Sequence, residues 1–261
     1  MWNLSFITEE ELTKHVETTI KKYGDKLKPY DVKKFNSNTV DPIKLLFDKN
    51  VYQVTWDDII KNEIFRQRDK SNSNDIGYFH QNIFQYIKGC TVPKEGWDVI
   101  YENPNGIQLP DNAIVSKIYV EIKNKHNTMN HASAARTYIK MQNQVLHDDD
   151  CACFLVETIA KRSQNTKWVT TIEKEKMKHK LIRRVSMDNF YELVTGEVTA
   201  FYQLCRALPN IIEKVLATSE KILAPKDVVF SELVENYGVD DTSIVLAIYM
   251  LGFKDYAGFK N

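Results

Sequence analysis

The chain is poor in the residues that several classes of functional site require. Its 261 residues include nine glycines, which form no phosphate loop, dinucleotide fingerprint or Gly-x-Ser-x-Gly nucleophile elbow. Four cysteines in a chain of this length do not resemble a disulfide framework. Cys151 and Cys153 have no second pair for zinc, and the six histidines lack zinc-site spacing. These absences argue against nucleotide-binding, serine-hydrolase and zinc motifs.

Long apolar runs are also missing. No segment approaches the roughly 20 apolar residues that span a membrane, and residues 1–10 lack the basic start of a signal peptide. We therefore expect a cytoplasmic protein with no membrane partner. Hydrophobic residues make up 43% and charged residues 27% of the chain, which is typical of a globular protein with a sizeable core.

The net charge is zero, which by itself argues against a nucleic-acid partner. The charges are nevertheless sorted along the chain. Residues 161–184 contain nine lysines and arginines against two acids, whereas residues 187–261 contain eleven acids against six bases. A local basic segment attracts a polyanion even when the whole chain is neutral. A solvated helix or hairpin is the alternative interpretation of this segment.

The spacing of apolar residues predicts an α/β protein. The predicted elements are helices from Thr8 and Asp41, a helix over 56–70, a break at 71–74, a helix over 76–87, strands over 99–101 and 114–123 with a turn at 103–106, a helix over 130–146, strands over 151–159 and 181–185, and helices over 188–194, 197–216, 225–235 and 241–251. Tyr138, Ile139 and Leu146 are predicted on the apolar stripe of the helix over 130–146. The simplest layout is one domain over 1–261, with an α/β core at 55–186 between helical parts at 1–54 and 187–261.

Two of the predicted strands carry charged side chains in an arrangement that suits hydrolysis. Asp98 precedes the first strand, and Glu121 and Lys123 lie two residues apart in the second. Residues i and i+2 of a strand project from one face, so Glu121 and Lys123 point together. If the strands pair, Asp98 joins them, and two carboxylates with an ammonium can hold a divalent metal against a phosphodiester. The alternative is a cross-face ion pair on an exposed edge.

The order of elements resembles the PD-(D/E)XK nuclease fold, a mixed central sheet flanked by helices, with helical N- and C-terminal additions. Gly-Trp-Asp-Val at 96–99 and Val-Glu-Ile-Lys-Asn-Lys-His-Asn-Thr-Met-Asn at 120–130 resemble the type II restriction endonucleases that recognise and cut GGNCC. The length and the helical first third are also similar to that family. The resemblance implies a bacterial, Mg²⁺-dependent enzyme that cuts double-stranded DNA to leave 5′-phosphate and 3′-hydroxyl ends.

The resemblance also implies roles for individual residues. Asp98 and Glu121 would bind Mg²⁺, and Lys123 would position the attacking water and stabilise charge on the phosphate. Glu63 is the best match for an additional catalytic acid on the helix before the core, and a surface glutamate is the alternative. Trp97 stands where the motif name has proline, a position that supplies no ligand.

Basic and amide side chains near this site are candidates for DNA contacts. Arg and Lys read guanine in the major groove, but most contacts go to phosphates, which position the protein without reading sequence. The candidates are Asn124, Lys125, His126, Asn127, Asn130, Arg136, Lys161, Arg162, Lys167, Lys174, Lys178, Arg183 and Arg184.

A palindromic target implies further partners and leaves alternatives open. Two-fold symmetry of the DNA calls for a homodimer, and the acidic C-terminal third is a reasonable interface. A companion DNA methyltransferase in the same cell is implied, though not as a stable partner. The alternatives are a structure-specific repair or junction nuclease of the same fold, and a non-catalytic DNA-binding module.

Overall fold

A computed structural model describes residues 2–26, 28–218 and 226–253. Contacts between Cα atoms divide these residues into two compact units, which are described separately. The first unit contains residues 2–20 and 75–218, and the second contains the remainder. The layout of one domain over 1–261 stays a prediction, because this division does not test whether the units fold together.

The first unit contains a sheet and the helices around it. Its elements, some shared with the second unit, are α1 (Glu9–Lys26), α4 (Trp56–Asn82), β1 (Cys90–Thr91), β2 (Val99–Gln108), β3 (Ile114–Lys125), α5 (His131–His147), β4 (Cys151–Ile159), β5 (Asn165–Ile172), β6 (Glu175–Ser186), α6 (Met187–Thr195) and α7 (Ala200–Thr218). The helices of the second unit are the first part of α4, the end of α1, and α2 (Val32–Asn36), α3 (Pro42–Tyr52), α8 (Val229–Tyr237) and α9 (Asp241–Phe253).

Side-chain caps explain where several helices begin. Thr8 and Glu11 form a capping box, in which the Glu11 carboxylate accepts from the Thr8 N–H at 2.9 Å and Thr8 Oγ1 accepts from the Glu11 N–H at 3.2 Å. Asp41 caps α3 and Asn130 caps α5. These starts agree with the prediction from sequence. The predicted helix over 225–235 begins at Pro225, which lies outside the described residues, and α8 starts at Val229.

The six strands form one mixed sheet in the order β1-β2-β3-β4-β6-β5. The pairs β3–β4 and β4–β6 are parallel, whereas β1–β2, β2–β3 and β5–β6 are antiparallel. Helix α5 is the crossover between the parallel strands β3 and β4. The prediction of a mixed sheet flanked by helices is therefore confirmed at the level of an α/β fold.

The predicted turn at 103–106 is wrong, because these residues belong to β2. The register of β2 on β3 shifts between Glu102 and Ile107, where the strand bulges. Gly106 adopts a positive φ of 86° there, so the turn-forming residues serve the bulge instead. The hairpin turns later, where the Leu109 N–H donates to the Ala113 carbonyl at 2.8 Å.

Two further differences concern elements that sequence periodicity described incompletely. The polar residues 71–74 do not break a helix, since α4 is continuous from Trp56 to Asn82. The basic segment at 161–184 forms most of a hairpin of β5 and β6, and its contact with DNA stays a prediction. The strand predicted at 181–185 is the end of β6, whereas β5 is not among the predicted strands.

Apolar side chains bury both faces of the central strands, as predicted for residues 151–159. One face belongs to a core that includes Val99, Val120, Ile122, Phe154, Val156 and Val185. The other face packs against α5 in a core that includes Tyr138, Met141, Leu155, Trp168 and Ile182. The predicted apolar stripe of α5 is partly wrong. Tyr138 is buried as predicted, but Ile139 and Leu146 are exposed, and Met141 is buried instead.

Within the described ranges, no helix is long and apolar enough to cross a membrane.

Candidate active site

The pairing of β2 with β3 fixes Asp98 beside the middle of β3. The Asp98 N–H donates to the Val120 carbonyl at 3.0 Å. Its carboxylate Oδ2 accepts from the Ile122 N–H at 2.7 Å. These two bonds bracket Glu121, so the acid before one strand and the acid within the next lie together.

Glu121 and Lys123 occupy neighbouring positions on one face of β3, where Lys123 Nζ lies 3.4 Å from Glu121 Oε2. Glu121 is mostly buried, with 14% of its side chain exposed. The alternative of an ion pair on an exposed edge does not describe this environment, because β3 lies inside the sheet, between β2 and β4.

The surroundings of Asp98 shift the pKa of its carboxyl in both directions. Burial is the largest effect and raises the pKa of the Asp98 carboxyl, and the negative charge of Glu121 raises it further. The Ile122 N–H and the ammonium groups of Lys123 and Lys140 lower the same pKa. A divalent cation beside both acids would relieve their mutual repulsion and favour the ionised form of Asp98.

Lys140 is the residue of this site that the sequence analysis missed. It lies on α5, and its ammonium contacts Glu121 Oε1 and the Gly96 carbonyl. The same ammonium lies 4.0 Å from the centre of the Trp97 ring. Chain topology could have indicated this contact. A right-handed crossover helix between β3 and β4 covers the face of the sheet from which Glu121 projects.

The donor set fits a hard divalent metal that retains several waters. Asp98 and Glu121 supply two carboxylates, and no cluster of three or more His, Cys, Asp or Glu ligands occurs in the described ranges. A magnesium ion is commonly held by one or two carboxylates plus water and substrate phosphate. The Lys140 ammonium on Glu121 is a stand-in cation at this position. The residues present therefore fit such an ion.

Glu63 lies on α4 among the residues of the second unit, and is buried with 6% exposure. Its carboxylate accepts from Arg66 Nε at 2.6 Å, from Arg66 Nη2 at 2.5 Å and from Gln67 Nε2 at 3.1 Å. The alternative of a surface glutamate is wrong. The structure gives Glu63 a bidentate pairing within its own helix.

Five of the DNA-contact candidates line one cavity in the first unit. This cavity of about 710 Å³ lies where β3 and β4 end, and its walls include Lys125, His126, Asn127, Lys161 and Arg184. A positive, open cavity at the end of the strand that carries Glu121 and Lys123 is suited to a polyanion.

Other candidates make polar contacts to neighbouring residues of the chain. Arg183 is 3% exposed, and its guanidinium donates to Asn165 Oδ1 at 2.6 Å. Lys167 and Arg183 both pair with Asp111. Asn130 caps α5 by accepting from the Ser133 N–H at 2.8 Å. The remaining candidates on the first unit's surface are Arg136, Arg162, Lys174 and Lys178, which are exposed, and Asn124, which is partly buried.

Glu157 contacts two side chains that line this cavity. It is fully buried in β4 and accepts from Arg184 Nε at 2.9 Å, while His126 Nδ1 lies 3.0 Å from its other oxygen. Arg184 Nη2 also donates to the His126 carbonyl at 2.9 Å. One buried carboxylate thus fixes two candidate DNA-contacting side chains.

We expect Glu157→Gln to destabilise the protein by about 3 kcal/mol, because it leaves the Arg184 charge without its buried partner. This value is at the low end for a buried pair, since 22% of the Arg184 side chain is exposed. Urea unfolding followed by circular dichroism measures the change. Glu102→Gln removes an acid from the exposed pair with Lys117 and should cost no more than about 1 kcal/mol. Equal effects of the two substitutions would contradict the role of Glu157.

Comparison with known proteins identifies the family. Residues 4–217 match the family model described as Eco47II restriction endonuclease. The chain belongs to this family. It is also 29% identical over 258 residues to the type II restriction enzyme Sau96I of Staphylococcus aureus, which covers 96% of this chain and 95% of that protein. The type II restriction enzyme Eco47II of Escherichia coli is 29% identical over 223 residues, covering 82% and 88%.

Membership of the Eco47II restriction endonuclease family confirms the predicted type II restriction endonuclease, a site-specific nuclease that binds DNA. It decides against the alternatives of a repair nuclease and a non-catalytic module. Enzymes of this kind typically need a divalent metal. The matched residues include Asp98, Glu121, Lys123 and Lys140, so the site described above lies within the part of the chain that carries the family likeness.

Proposed function

We propose that this restriction endonuclease has a PD-(D/E)XK core and cuts DNA at the site formed by Asp98, Glu121 and Lys123, with Mg²⁺ as its metal. The observation that carries the proposal is the juxtaposition of these residues, since Asp98 bonds to the main chain on both sides of Glu121. Two carboxylates and a lysine match the needs of phosphodiester hydrolysis.

In this mechanism, Asp98 and Glu121 would hold Mg²⁺. When bound, the metal supplies Lewis acidity toward the scissile phosphate and lowers the pKa of a water ligand. Lys123 would orient the attacking water and stabilise charge that develops on the phosphate. Hydrolysis with departure of the 3′ oxygen would leave 5′-phosphate and 3′-hydroxyl ends. The role of Glu63 as an additional catalytic acid remains a prediction. In that role its carboxylate would act while it is paired with Arg66.

We further propose that the double-stranded target is GGNCC and that the enzyme acts on cytoplasmic DNA as a homodimer. The sequence resemblance around Asp98 and Glu121 supports the specificity, and the symmetry of the target supports the dimer. The acidic C-terminal third remains the proposed interface, and a companion methyltransferase would protect the host DNA.

The cavity candidates divide into groups by their exposure. Lys161 is exposed at the rim, whereas His126 and Arg184 are held by Glu157. Exposed lysines suit phosphate contacts, and fixed side chains suit the reading of base edges. We therefore propose Lys161 as a phosphate contact and the pair held by Glu157 as the better candidates for sequence reading.

Lys161→Ala should weaken binding to GGNCC and to unrelated duplexes by similar factors, because a phosphate contact carries no sequence information. The slope of log affinity against log salt should fall by about 1. Fluorescence anisotropy in Ca²⁺ over a salt series measures both. A loss confined to the GGNCC duplex would instead assign Lys161 to base reading.

The experiment that tests the function is digestion of a mixed-sequence plasmid with Mg²⁺ and with EDTA, followed by sequencing of the fragment ends. We expect discrete fragments that depend on Mg²⁺ and end within GGNCC. Discrete fragments with other ends would overturn the specificity. Cleavage that persists in EDTA would overturn the metal-dependent mechanism.

A further inference from the structure

Three groups hold the Lys140 ammonium beside the proposed metal site. They are the Glu121 carboxylate, the Gly96 carbonyl and the face of the Trp97 indole, whose centre is 4.0 Å away. The Lys140 side chain is 38% exposed, whereas that of Glu121 is 14% exposed. The lysine therefore reaches from a partly exposed position on α5 onto a mostly buried acid.

The charges of the site balance while Lys140 is present. Asp98 and Glu121 contribute two negative charges, and Lys123 and Lys140 contribute two positive charges. The two lysines approach different oxygens of Glu121, Lys140 at Oε1 and Lys123 at Oε2. A metal that binds Glu121 must share or replace one of these ammonium contacts, because each oxygen of the carboxylate already faces an ammonium.

We propose that Lys140 is a positioning residue that holds Glu121 in the metal-free enzyme. Its ammonium leaves this carboxylate when the divalent metal binds there. The inference rests on the proposed metal-binding role of Asp98 and Glu121. Of the two lysines, Lys140 is the one to yield, because it has two other anchors at Gly96 and Trp97, whereas Lys123 lies on the same strand as Glu121.

The displaced ammonium stays at the site. The Gly96 carbonyl and the Trp97 ring are both good partners for a cation, and neither is a proposed metal ligand. With the metal bound, the balanced site gains two positive charges while Lys140 remains beside it, which favours a DNA phosphate. This arrangement also gives Trp97, which stands in place of the motif's proline, a function of its own.

The first test is the affinity for Ca²⁺ measured by isothermal titration calorimetry on the whole protein. Lys140→Met removes the competing charge at nearly constant length, so Ca²⁺ should bind about 3–10-fold more tightly. Lys117→Met is the matched control, since Lys117 pairs with Glu102 outside the site, and it should change the affinity by less than twofold. Lys140→Arg keeps the charge and should retain most of the wild-type affinity.

The second test follows the lysine itself through tryptophan emission. Moving an ammonium relative to the Trp97 ring changes the surroundings of that indole, so Ca²⁺ should change the emission of the wild-type protein. Trp97→Phe should abolish this change, and Lys140→Met should also abolish it although the metal still binds. A change that persists in Lys140→Met would mean that the metal, not the lysine, perturbs the ring, and would overturn the displacement.

The outcomes separate this inference from the proposed function. If the wild-type protein binds Ca²⁺ and Lys140→Met binds it equally or more weakly, the competition is wrong while the metal site stands. If the wild-type protein binds no Ca²⁺, either alone or with a GGNCC duplex, the proposed metal site is wrong and Lys140 has nothing to yield to.

Discussion

Glu121→Gln should reduce DNA cleavage by about 10³-fold or more while DNA binding in EDTA remains. The substitution keeps the shape of the side chain but removes the charge that would hold a divalent metal with Asp98. A metal in such a site contributes several kcal/mol to the transition state, and each 1.36 kcal/mol corresponds to a tenfold change in rate. DNA binding persists because the substitution removes a negative charge, which would repel the DNA phosphate beside it.

The measurement for Glu121→Gln is single-turnover cleavage of a GGNCC duplex together with anisotropy for binding. Glu102→Gln is a matched control, since it makes the same chemical change in β2, on an exposed pair with Lys117. This control should cleave at close to the wild-type rate. An equal loss of cleavage and binding in Glu121→Gln would contradict the metal role and point to loss of structure.

Lys123→Met should lower the cleavage rate by about 10²–10³-fold, comparable to the loss of one donor that stabilises developing oxyanion charge. Lys123 shares its face of β3 with Glu121 and lies 3.4 Å from that carboxylate. Its side chain is 31% exposed, so it is accessible to a phosphate. Stability should change little, because a partly exposed ion pair contributes no more than about 1 kcal/mol.

Single-turnover rates and urea unfolding together test the prediction for Lys123. Lys117→Met is the control, because Lys117 also lies on β3 and pairs with an acid of the neighbouring strand, yet it lies outside the site. Unchanged stability with a large loss of rate is the expected result. Near-wild-type cleavage by Lys123→Met would show that another group, such as Lys140, orients the water and stabilises the charge on the phosphate.

The sequence was informative where one residue or one short pattern determines the outcome. The i and i+2 spacing of Glu121 and Lys123 is sufficient to place them on one face once a strand is recognised. Asp98 required the additional assumption that two strands pair, and the hydrogen bond from its N–H to Val120 is that pairing. Capping residues such as Asp41 and Asn130 act locally, so they too could be recognised.

The sequence was less informative where structure depends on distant contacts. The polar residues 71–74 look like a break, but a helix continues through them, because intrinsic helix propensity is a weak guide that tertiary context overrides. The residues at 103–106 look like a turn, but the pairing with β3 retains them in a strand that bulges. Local propensity is a weak guide when tertiary pairing decides the outcome.

Lys140 shows how a small error in periodicity conceals a functional residue. The predicted stripe of α5 contained Tyr138, Ile139 and Leu146, whereas the structure buries Tyr138 and Met141 and exposes the other two. A lysine between two buried positions lies at the edge of the packed face, from which it reaches the sheet. Its contact with Glu121 joins residues 19 positions apart, a distance at which no local pattern signals a partner.

The most direct test of the account is to locate the metal. Crystals of the enzyme with a GGNCC duplex and Mn²⁺ would give an anomalous difference map that shows the position of the ion. We predict a peak bound by the carboxylates of both Asp98 and Glu121, with the Lys140 ammonium off Glu121 and against Trp97. A peak that contacts neither carboxylate, in crystals that cleave their DNA, would contradict the assignment of the active site.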